Sequence, residues 1–459
     1  MYRLTARKGD FFGLRRERIG LCKPYSRYHF RFRSANKEIL MFDTIRVPFF
    51  RPDITEQEVN EVVETLRSGW LTSGPKVNRF EQEFAKAVGA KFAVAVNSCT
   101  AALHLAVEAM GLKQGEAVLV PTMTFAATAE VVRYQGAIPI LVDCDPVTAN
   151  MDLEDAERKL VPPVVGIIPV HVGGYMMDMD AVNRFAAKHG LWVIEDAAHA
   201  FPSAWRSAPQ ADWQRCGENT AAVTCFSYYA NKTITTGEGG MAVTDDPKVA
   251  DRMRLMSLHG LSHDAWGRYS SNGSCDYKIV APGFKYNLTD IAAAIGIHQL
   301  ARAEEMRLKR EEIAHRYMDA LRSVEEIELP QENINRIHSW HLFPIRLNLH
   351  RLRISRHTFI DKLKENGVSC SIHWRPLHLH PYYHDSFGYR PKDCPVATEL
   401  WKHLISLPIF PSMSNEEIEH TVSVVRHLCT LYARKGRSQK ALHGIRAKQA
   451  SEAFISAVG

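Results

Sequence analysis

Between Phe92 and Val243 the chain repeats one pattern, a short apolar run rich in β-branched residues followed by a longer stretch with apolar residues at helical spacing. The runs are Phe92 to Val96, Ala117 to Val120, Ile138 to Val142, Val165 to Val170, Leu191 to Ile194, Ala222 to Phe226 and Met241 to Val243. Runs without strict polar alternation suit strands buried on both faces, and helical connections of this length let successive strands lie parallel. The pattern predicts an α/β fold with a largely parallel sheet covered on both sides. In such a sheet ligands bind outside the carboxyl ends of the strands, so polar residues at those ends carry the functional signal.

Two of the strand ends stand out. LWVIEDAAHA closes a buried strand with Glu195 and Asp196, and thirty-six residues past Asp196 comes Lys232 in CFSYYANKTITTGEGGMAVT, the stretch from Cys225 to Thr244. Lys232 follows an apolar run and precedes a Thr/Gly-rich turn, so its amine is presented from a loop. A lone lysine in a polar loop is ordinarily solvated. A lysine to bind an aldehyde and a buried carboxylate to keep a ring nitrogen protonated are, however, the two groups that pyridoxal phosphate needs. Its third need is a phosphate cup. AVAVNSCTAALHLAVEAM, from Ala93 to Met110, reads as a strand, a turn with the capping types Asn97 and Ser98, and a helix with apolar residues at Ala102, Leu103, Ala106, Val107 and Met110. Such a turn offers unpaired N–H groups and a positive dipole end to a dianion.

Further segments are GWLTSGPKVNRFEQEFA from Gly69, PTMTFAATAEVV from Pro121, GGYMMDMDAV from Gly173 and PGFKYNLTDIAAAIGIHQL from Pro282. Together with those above, in order and spacing, they resemble the sugar aminotransferases of the DegT/DnrJ/EryC1/StrS family from Phe42 to about Cys429. The resemblance implies fold type I of the pyridoxal-phosphate-dependent transferases, the aspartate-aminotransferase-like fold. That fold has a large domain with a mostly parallel seven-stranded sheet and a smaller C-terminal α/β domain. Applied to this chain, it gives a large domain over residues 41–300 and a small one over 301–432, with a long helix from about Ile291 to Ala320. Val47 to about Thr72 is expected to pack across both.

The same resemblance assigns roles residue by residue. Lys232 matches the lysine that binds the cofactor's aldehyde and, once freed, moves the proton between the sugar carbon and the cofactor. Asp196 matches the partner of the ring nitrogen, His199 the residue beside the phenolic oxygen, and Phe125 the aromatic stacked on the ring. Cys99, Thr100 and Ser227 match the phosphate-binding positions, Cys99 standing where many members have glycine. Lys285 and Asn287 lie where many members read G-Y-N-Y-R, with an asparagine that reaches the neighbouring subunit's phosphate. This chain reads Gly283-Phe284-Lys285-Tyr286-Asn287 instead, so either residue is a candidate and the active site is expected to exist only in a homodimer. Thr72 and Arg268 are implied as substrate-binding residues, Arg268 for a diphosphate, and His373 and His378 as residues closing over cofactor or substrate.

FKYN and HGLSHDAWGRY from His259 are similar to a branch aminating UDP-linked 4-keto sugars, notably the enzyme making UDP-4-amino-4-deoxy-L-arabinose. TTGEGG after the lysine resembles members acting at C4. The implied reaction moves an amino group from L-glutamate to C4 of a nucleotide-linked 4-keto sugar. Sugar dehydratases of the family carry histidine in place of the lysine, so Lys232 favours amino transfer. A regulatory protein that keeps the fold and binds nucleic acid is the other alternative, and the intact set of Lys232, Asp196 and Ser227 speaks against it.

The net charge of +6 is unevenly spread. Residues 1–40 carry +8 and residues 433–459 carry +5, which leaves the family-like middle acidic. The first forty residues read as a disordered extension or the product of an upstream start codon, because Met41 stands directly before FDTIRVPFFRP, where family members begin. No apolar run approaches the roughly 18 residues of a membrane span, and nine scattered cysteines without a C-x-x-C pair suit reduced thiols, so a cytoplasmic enzyme is expected. HWRPLHLHPYYH, from His373 to His384, concentrates histidines, but Pro376 and Pro381 break it into loop and no metal site is expected there.

Overall fold

The computed structural model describes residues 45–261 and 278–434. Seven of the strands β1 (Phe92–Val96), β2 (Ala117–Pro121), β3 (Ile138–Val142), β4 (Val164–Ile167), β5 (Trp192–Asp196), β6 (Ala204–Trp205), β7 (Gln214–Arg215), β8 (Val223–Ser227) and β9 (Gly240–Thr244) build the central sheet. Its order is β1-β9-β8-β5-β4-β2-β3. Strands β3, β2, β4, β5 and β8 are parallel, and β9 runs antiparallel to both β8 and β1. The sheet therefore has the mostly parallel, seven-stranded form that the sequence pattern predicts.

Alternation along the strands divides the core into two layers. Val193, Phe226, Met241 and Val243 point to one face, where they meet Phe80 and Phe84 of helix α2 (Pro75–Val88). Ile194, Cys225 and Ala242 point to the other, against Leu103 and Leu105 of helix α3 (Cys99–Ala109). Successive residues of a strand face opposite ways, so Glu195 follows Val193 and Asp196 follows Ile194. Asp196 thus shares its face with α3, and Glu195 is directed to the other layer. Each fully buried aromatic or aliphatic side chain contributes about 1.5–3 kcal/mol.

A second core lies toward the carboxyl end. β10 (Ile327–Glu328), β12 (Phe343–Leu347) and β13 (Leu404–Leu407) form an antiparallel sheet, while β11 (Arg336–Ile337) pairs with β6. Phe343, Ile345, Ile405 and Leu407 pack with Tyr317, Phe359, Val424 and Leu428 from the surrounding helices. The amino-terminal stretch touches both cores. The Val47 N–H donates to the Gly367 carbonyl at 2.8 Å, and Arg51 meets the Glu417 carboxylate at 2.7 Å. Glu58 of helix α1 (Glu56–Ser68) accepts from Gln299 at 2.8 Å.

One local expectation changes. The single long helix after Ile291 is two helices, Asp290–Ala301 and Ala303–Leu321, broken at Arg302 with φ −105° and ψ 8°. Arg302 leaves the helical path with its guanidinium on the buried Glu58 carboxylate at 2.9 Å and on the Asp53 carbonyl at 2.8 Å. The segment after His199 forms a short hairpin of β6 and β7. Among the described residues no helix is long and apolar enough to cross a membrane.

Candidate active site

A cavity of about 570 Å³ opens at the carboxyl ends of β5 and β8. Asp196, the last residue of β5, is buried at its floor. One carboxylate oxygen accepts from Thr128 Oγ1 at 2.7 Å and the other from the Ala198 N–H at 3.1 Å. Burial raises its carboxyl above the usual range, while these two donors and the Lys232 amine pull it back down. A buried carboxylate with this balance is suited to pair with a positive ring nitrogen.

Lys232 reaches the same cavity from a loop that its neighbours hold rigid. Its N–H donates to the Tyr229 carbonyl at 2.9 Å, and the N–H of Thr236 donates to the carbonyl of buried Tyr228 at 3.0 Å. Gln299 Oε1 accepts from the Thr235 N–H at 3.2 Å. Burial pushes the Lys232 amine down to about 8, against the opposing pull of Cys99 and Asp196. Lowered in this way, the amine spends part of its time neutral near physiological pH, as a group attacking an aldehyde must be.

His199 lies beside the lysine with its tautomer fixed. Its Nδ1 accepts from the Gly173 N–H at 3.3 Å, so in the neutral ring Nε2 carries the proton as a donor. Burial, then the nearby Lys232 and His373, hold its imidazole well below the usual histidine range, so the ring is neutral. Four further rings continue from it. Trp374 stacks on His199 at 5.0 Å, His341 lies at 4.2 Å, and His373, edge-on to Trp374, stacks in turn on Phe49 at 5.6 Å. Burial lowers His373 to about 4 and His341 well below its ordinary value. Except for Phe49, these rings make an uncharged wall of the cavity. Phe125, 64% exposed, also lines it and has a free face for a planar ligand.

At one end the cavity meets the start of α3. Ser98 caps the helix by accepting from the Ala101 N–H at 3.1 Å, which leaves the N–H groups of Cys99 and Thr100 without intrahelical acceptors. Ser98, Cys99, Thr100 and Ser227 all line the cavity. β9 passes so close behind this turn that a Cβ on Gly240 would clash with the Ser98 carbonyl and lie 2.6 Å from the Cys99 nitrogen. Gly240→Ala is therefore expected to displace the turn and weaken cofactor affinity about tenfold, from the 1–3 kcal/mol that overpacking costs. Titrating the apo variant with pyridoxal phosphate checks this, and an unchanged affinity would show that the turn does not bound the phosphate site.

Lys232, Asp196, His199, Phe125, Cys99, Thr100, Ser227 and His373 are thus gathered around one cavity. His378 is not. It is buried with Nδ1 2.7 Å from Thr122 Oγ1 and Nε2 2.8 Å from Thr398 Oγ1, so both ring nitrogens are occupied by the protein. Thr72, Lys285 and Asn287 lie outside this chain's cavity as a linked group. Lys285 Nζ donates to Asn287 Oδ1, while Asn287 Nδ2 donates to Ser73 Oγ at 2.8 Å and to Thr72 Oγ1 at 3.5 Å. Arg268 falls outside the described residues. The sequence did not single out Thr128, His341, Trp374 or Glu238. Thr128 sat inside PTMTFAATAEVV and His341 inside WHLFPIRL, but nothing in the spacing of either marked a cavity-facing side chain.

The donor set fits pyridoxal phosphate. It offers an amine for the aldehyde, a buried carboxylate for the ring nitrogen, a neutral imidazole donor for the phenolic oxygen and a helix amino terminus for the phosphate.

Comparison with known proteins agrees with this geometry. The model of the DegT/DnrJ/EryC1/StrS aminotransferase family matches residues 52–426. The chain is 44% identical over 383 residues to the spore coat polysaccharide biosynthesis protein SpsC of Bacillus subtilis, covering 83% of this chain and 97% of SpsC. An uncharacterised protein of Methanocaldococcus jannaschii is also 44% identical, over 382 residues, with the same coverage of 83% and 97%. Among solved structures, Spr1654 of Streptococcus pneumoniae, assigned as a sugar aminotransferase and known in PMP and PLP forms, superposes well. Its PMP form gives a TM-score of 0.77 at 30% identity, over 84% of this chain and 99% of that one. The chain therefore belongs to the DegT/DnrJ/EryC1/StrS aminotransferase family, as a sugar aminotransferase that depends on pyridoxal phosphate.

Proposed function

We propose that the enzyme moves an amino group from L-glutamate to C4 of a nucleotide-linked 4-keto sugar, for the synthesis of a cell-surface polysaccharide or glycoconjugate, and that it works as a homodimer in the cytoplasm. The observation that carries the chemistry is the convergence of Lys232, Asp196 and His199 on one cavity. When bound, pyridoxal phosphate supplies an aldehyde to carry the amino group and a ring to take up electron density from the reacting carbon.

The protein's own groups do the rest. Lys232, as the free amine, takes the proton from the donor's α-carbon and returns it on the far side of the transferred nitrogen. With the cofactor bound, Asp196 would keep the ring nitrogen charged, and Nε2 of His199 would donate to the phenolic oxygen. Phe125 would cover one face of the ring, and the α3 turn with Ser227 would hold the phosphate against its dipole end. The neutral wall of His199, His341 and Trp374 lines the cavity without adding positive charge that would lower the proton affinity of the ring nitrogen or of Lys232 further.

The 4-keto assignment rests on TTGEGG and FKYN, and the polysaccharide role on similarity to SpsC. The dimer is supported by the position of Lys285 and Asn287, which lie away from this chain's own cavity and form a polar group with Thr72 available to a neighbouring site. The test is a half-reaction series. Glutamate should convert the loaded enzyme to its amino form with one equivalent of 2-oxoglutarate, and a UDP-linked 4-keto sugar should restore the starting spectrum where its 3-keto isomer does not. Restoration by the 3-keto isomer alone, or dehydration of the sugar without nitrogen transfer, sinks the proposal.

A further inference from the structure

Glu195 is a buried carboxylate one residue before Asp196, on the opposite face of β5. Its Oε2 lies 2.6 Å from Nε2 of His171, and its Oε1 accepts from Thr224 Oγ1 at 3.0 Å and from Thr220 Oγ1. His171 Nδ1 accepts from the Met177 N–H at 3.3 Å, so the ring's proton is on Nε2 and is donated to Glu195. The carboxylate therefore takes three hydrogen bonds, two from hydroxyls and one from the imidazole, and among the described residues no lysine or arginine is paired with it. Cys216 completes a group of possible metal ligands within 4.8 Å of one another. The proton on Nε2 occupies the lone pair that a metal would need.

A charge buried this way is costly, and a neutral side chain of the same shape could fill the space. We propose that Glu195 is a positioning residue for amino transfer: a fixed negative charge behind β5 that, together with Asp196 in front of it, keeps the cofactor's ring nitrogen protonated. The proposal rests on Asp196 being the partner of that nitrogen. The groups facing this stretch of β5 leave the two carboxylates as the local negative charge. Cys225 on the adjacent strand, Cys216 on the Glu195 side and Cys99 on the cavity side are thiols that burial pushes well up, His171 is hydrogen-bonded to Glu195 through Nε2, and among the described residues Lys232 is the only lysine or arginine lining the cavity. At about 10 Å and an effective polarity typical of protein interiors, a negative charge on the opposite face of β5 raises that nitrogen's proton affinity by about one pH unit.

The experiment loads the full-length enzyme with pyridoxal phosphate labelled with ¹⁵N in the ring and follows the nitrogen's chemical shift with pH. In Glu195→Gln, which keeps the shape and removes the charge, the ring proton should be lost about one pH unit lower than in the unaltered enzyme. Turnover should fall about tenfold with the KM for the keto sugar unchanged. Glu195→Asp keeps the charge but disturbs the hydrogen bonds, so its melting temperature should fall while the ring nitrogen titrates as before. Identical titrations in Glu195→Gln and the unaltered enzyme overturn the proposal and leave a structural role only. So does an early loss of the ring proton in Glu195→Asp, the variant that decides the matter if Glu195→Gln fails to fold. A stoichiometric divalent metal in the purified protein that vanishes in Glu195→Gln also overturns it. Asp196→Asn is measured alongside: a ring nitrogen still protonated there removes the Asp196 role itself, whereas a failure confined to Glu195 leaves that role standing.

Discussion

Lys232→Ala is expected to reduce amino transfer by at least about 10³-fold, because the proposed mechanism uses this one amine as both covalent anchor and proton carrier. Among the described residues Lys232 is the only lysine or arginine lining the cavity, so no neighbouring side chain can take over either task. The loss should appear in both half-reactions and should not be recovered at high substrate, since it lies in chemistry rather than binding. A second signature comes from the apo protein. The amine is lowered to about 8 in the folded chain from 10.5. Between these values the unfolded chain binds more protons than the folded one, so stability increases as pH rises through that window. Thermal melts of the apo enzyme from pH 8 to 10 should show this gain, and Lys232→Ala should lack it. Retained turnover in the variant, or a parallel pH dependence of the two melts, contradicts the role given to the lysine.

Asp196→Asn is expected to cost a comparable amount. A charge pair at about 4 Å is worth about 4 kcal/mol at the effective polarity of a protein interior, a factor on the order of 10³ in rate if it is present mainly when the ring must accept electrons. The amide can keep one contact with Thr128 or with the Ala198 N–H, so the fold of β5 should survive and the defect should be in kcat. Secondary structure and melting temperature close to those of the parent, with turnover near one-thousandth, are the expected pair of results. Near-normal turnover would mean that the ring nitrogen has another partner.

The sequence marked Glu195 and Asp196 together as an acidic strand end, and only the family resemblance chose Asp196; the structure gives the physical reason, because successive residues of β5 go to opposite layers and Asp196 is the one on the cavity side. The capped turn before α3 was equally legible, since Ser98 and the helical spacing after it are local signals. The break at Arg302 was not, because its cause is an ion pair with Glu58, far away in the chain, while the apolar spacing continues through it. The two histidines of the HWRPLH run show the same limit. His373 faces the cavity and His378 is fastened between Thr122 and Thr398, and this outcome depends on how the loop docks on β2, which no spacing encodes. The ring wall was illegible for a related reason. It is assembled from Phe49, His199, His341 and the 373–374 pair, each of which reads alone as an ordinary core or loop residue.

The pairing of β1 with β9 joins the first and last strands of the central sheet. The turn proposed to hold the phosphate depends on that pairing, since it leaves β1 and is backed by Gly240 at the start of β9. On the ribosome, then, Ser98 and its helix emerge long before the strand that closes the cup behind them. The nascent chain has no finished cradle for the cofactor until the last strand is inserted between β1 and β8. Cofactor capture is in this sense a seal on a completed sheet rather than a seed for it, and a truncated or stalled product would remain cofactor-free.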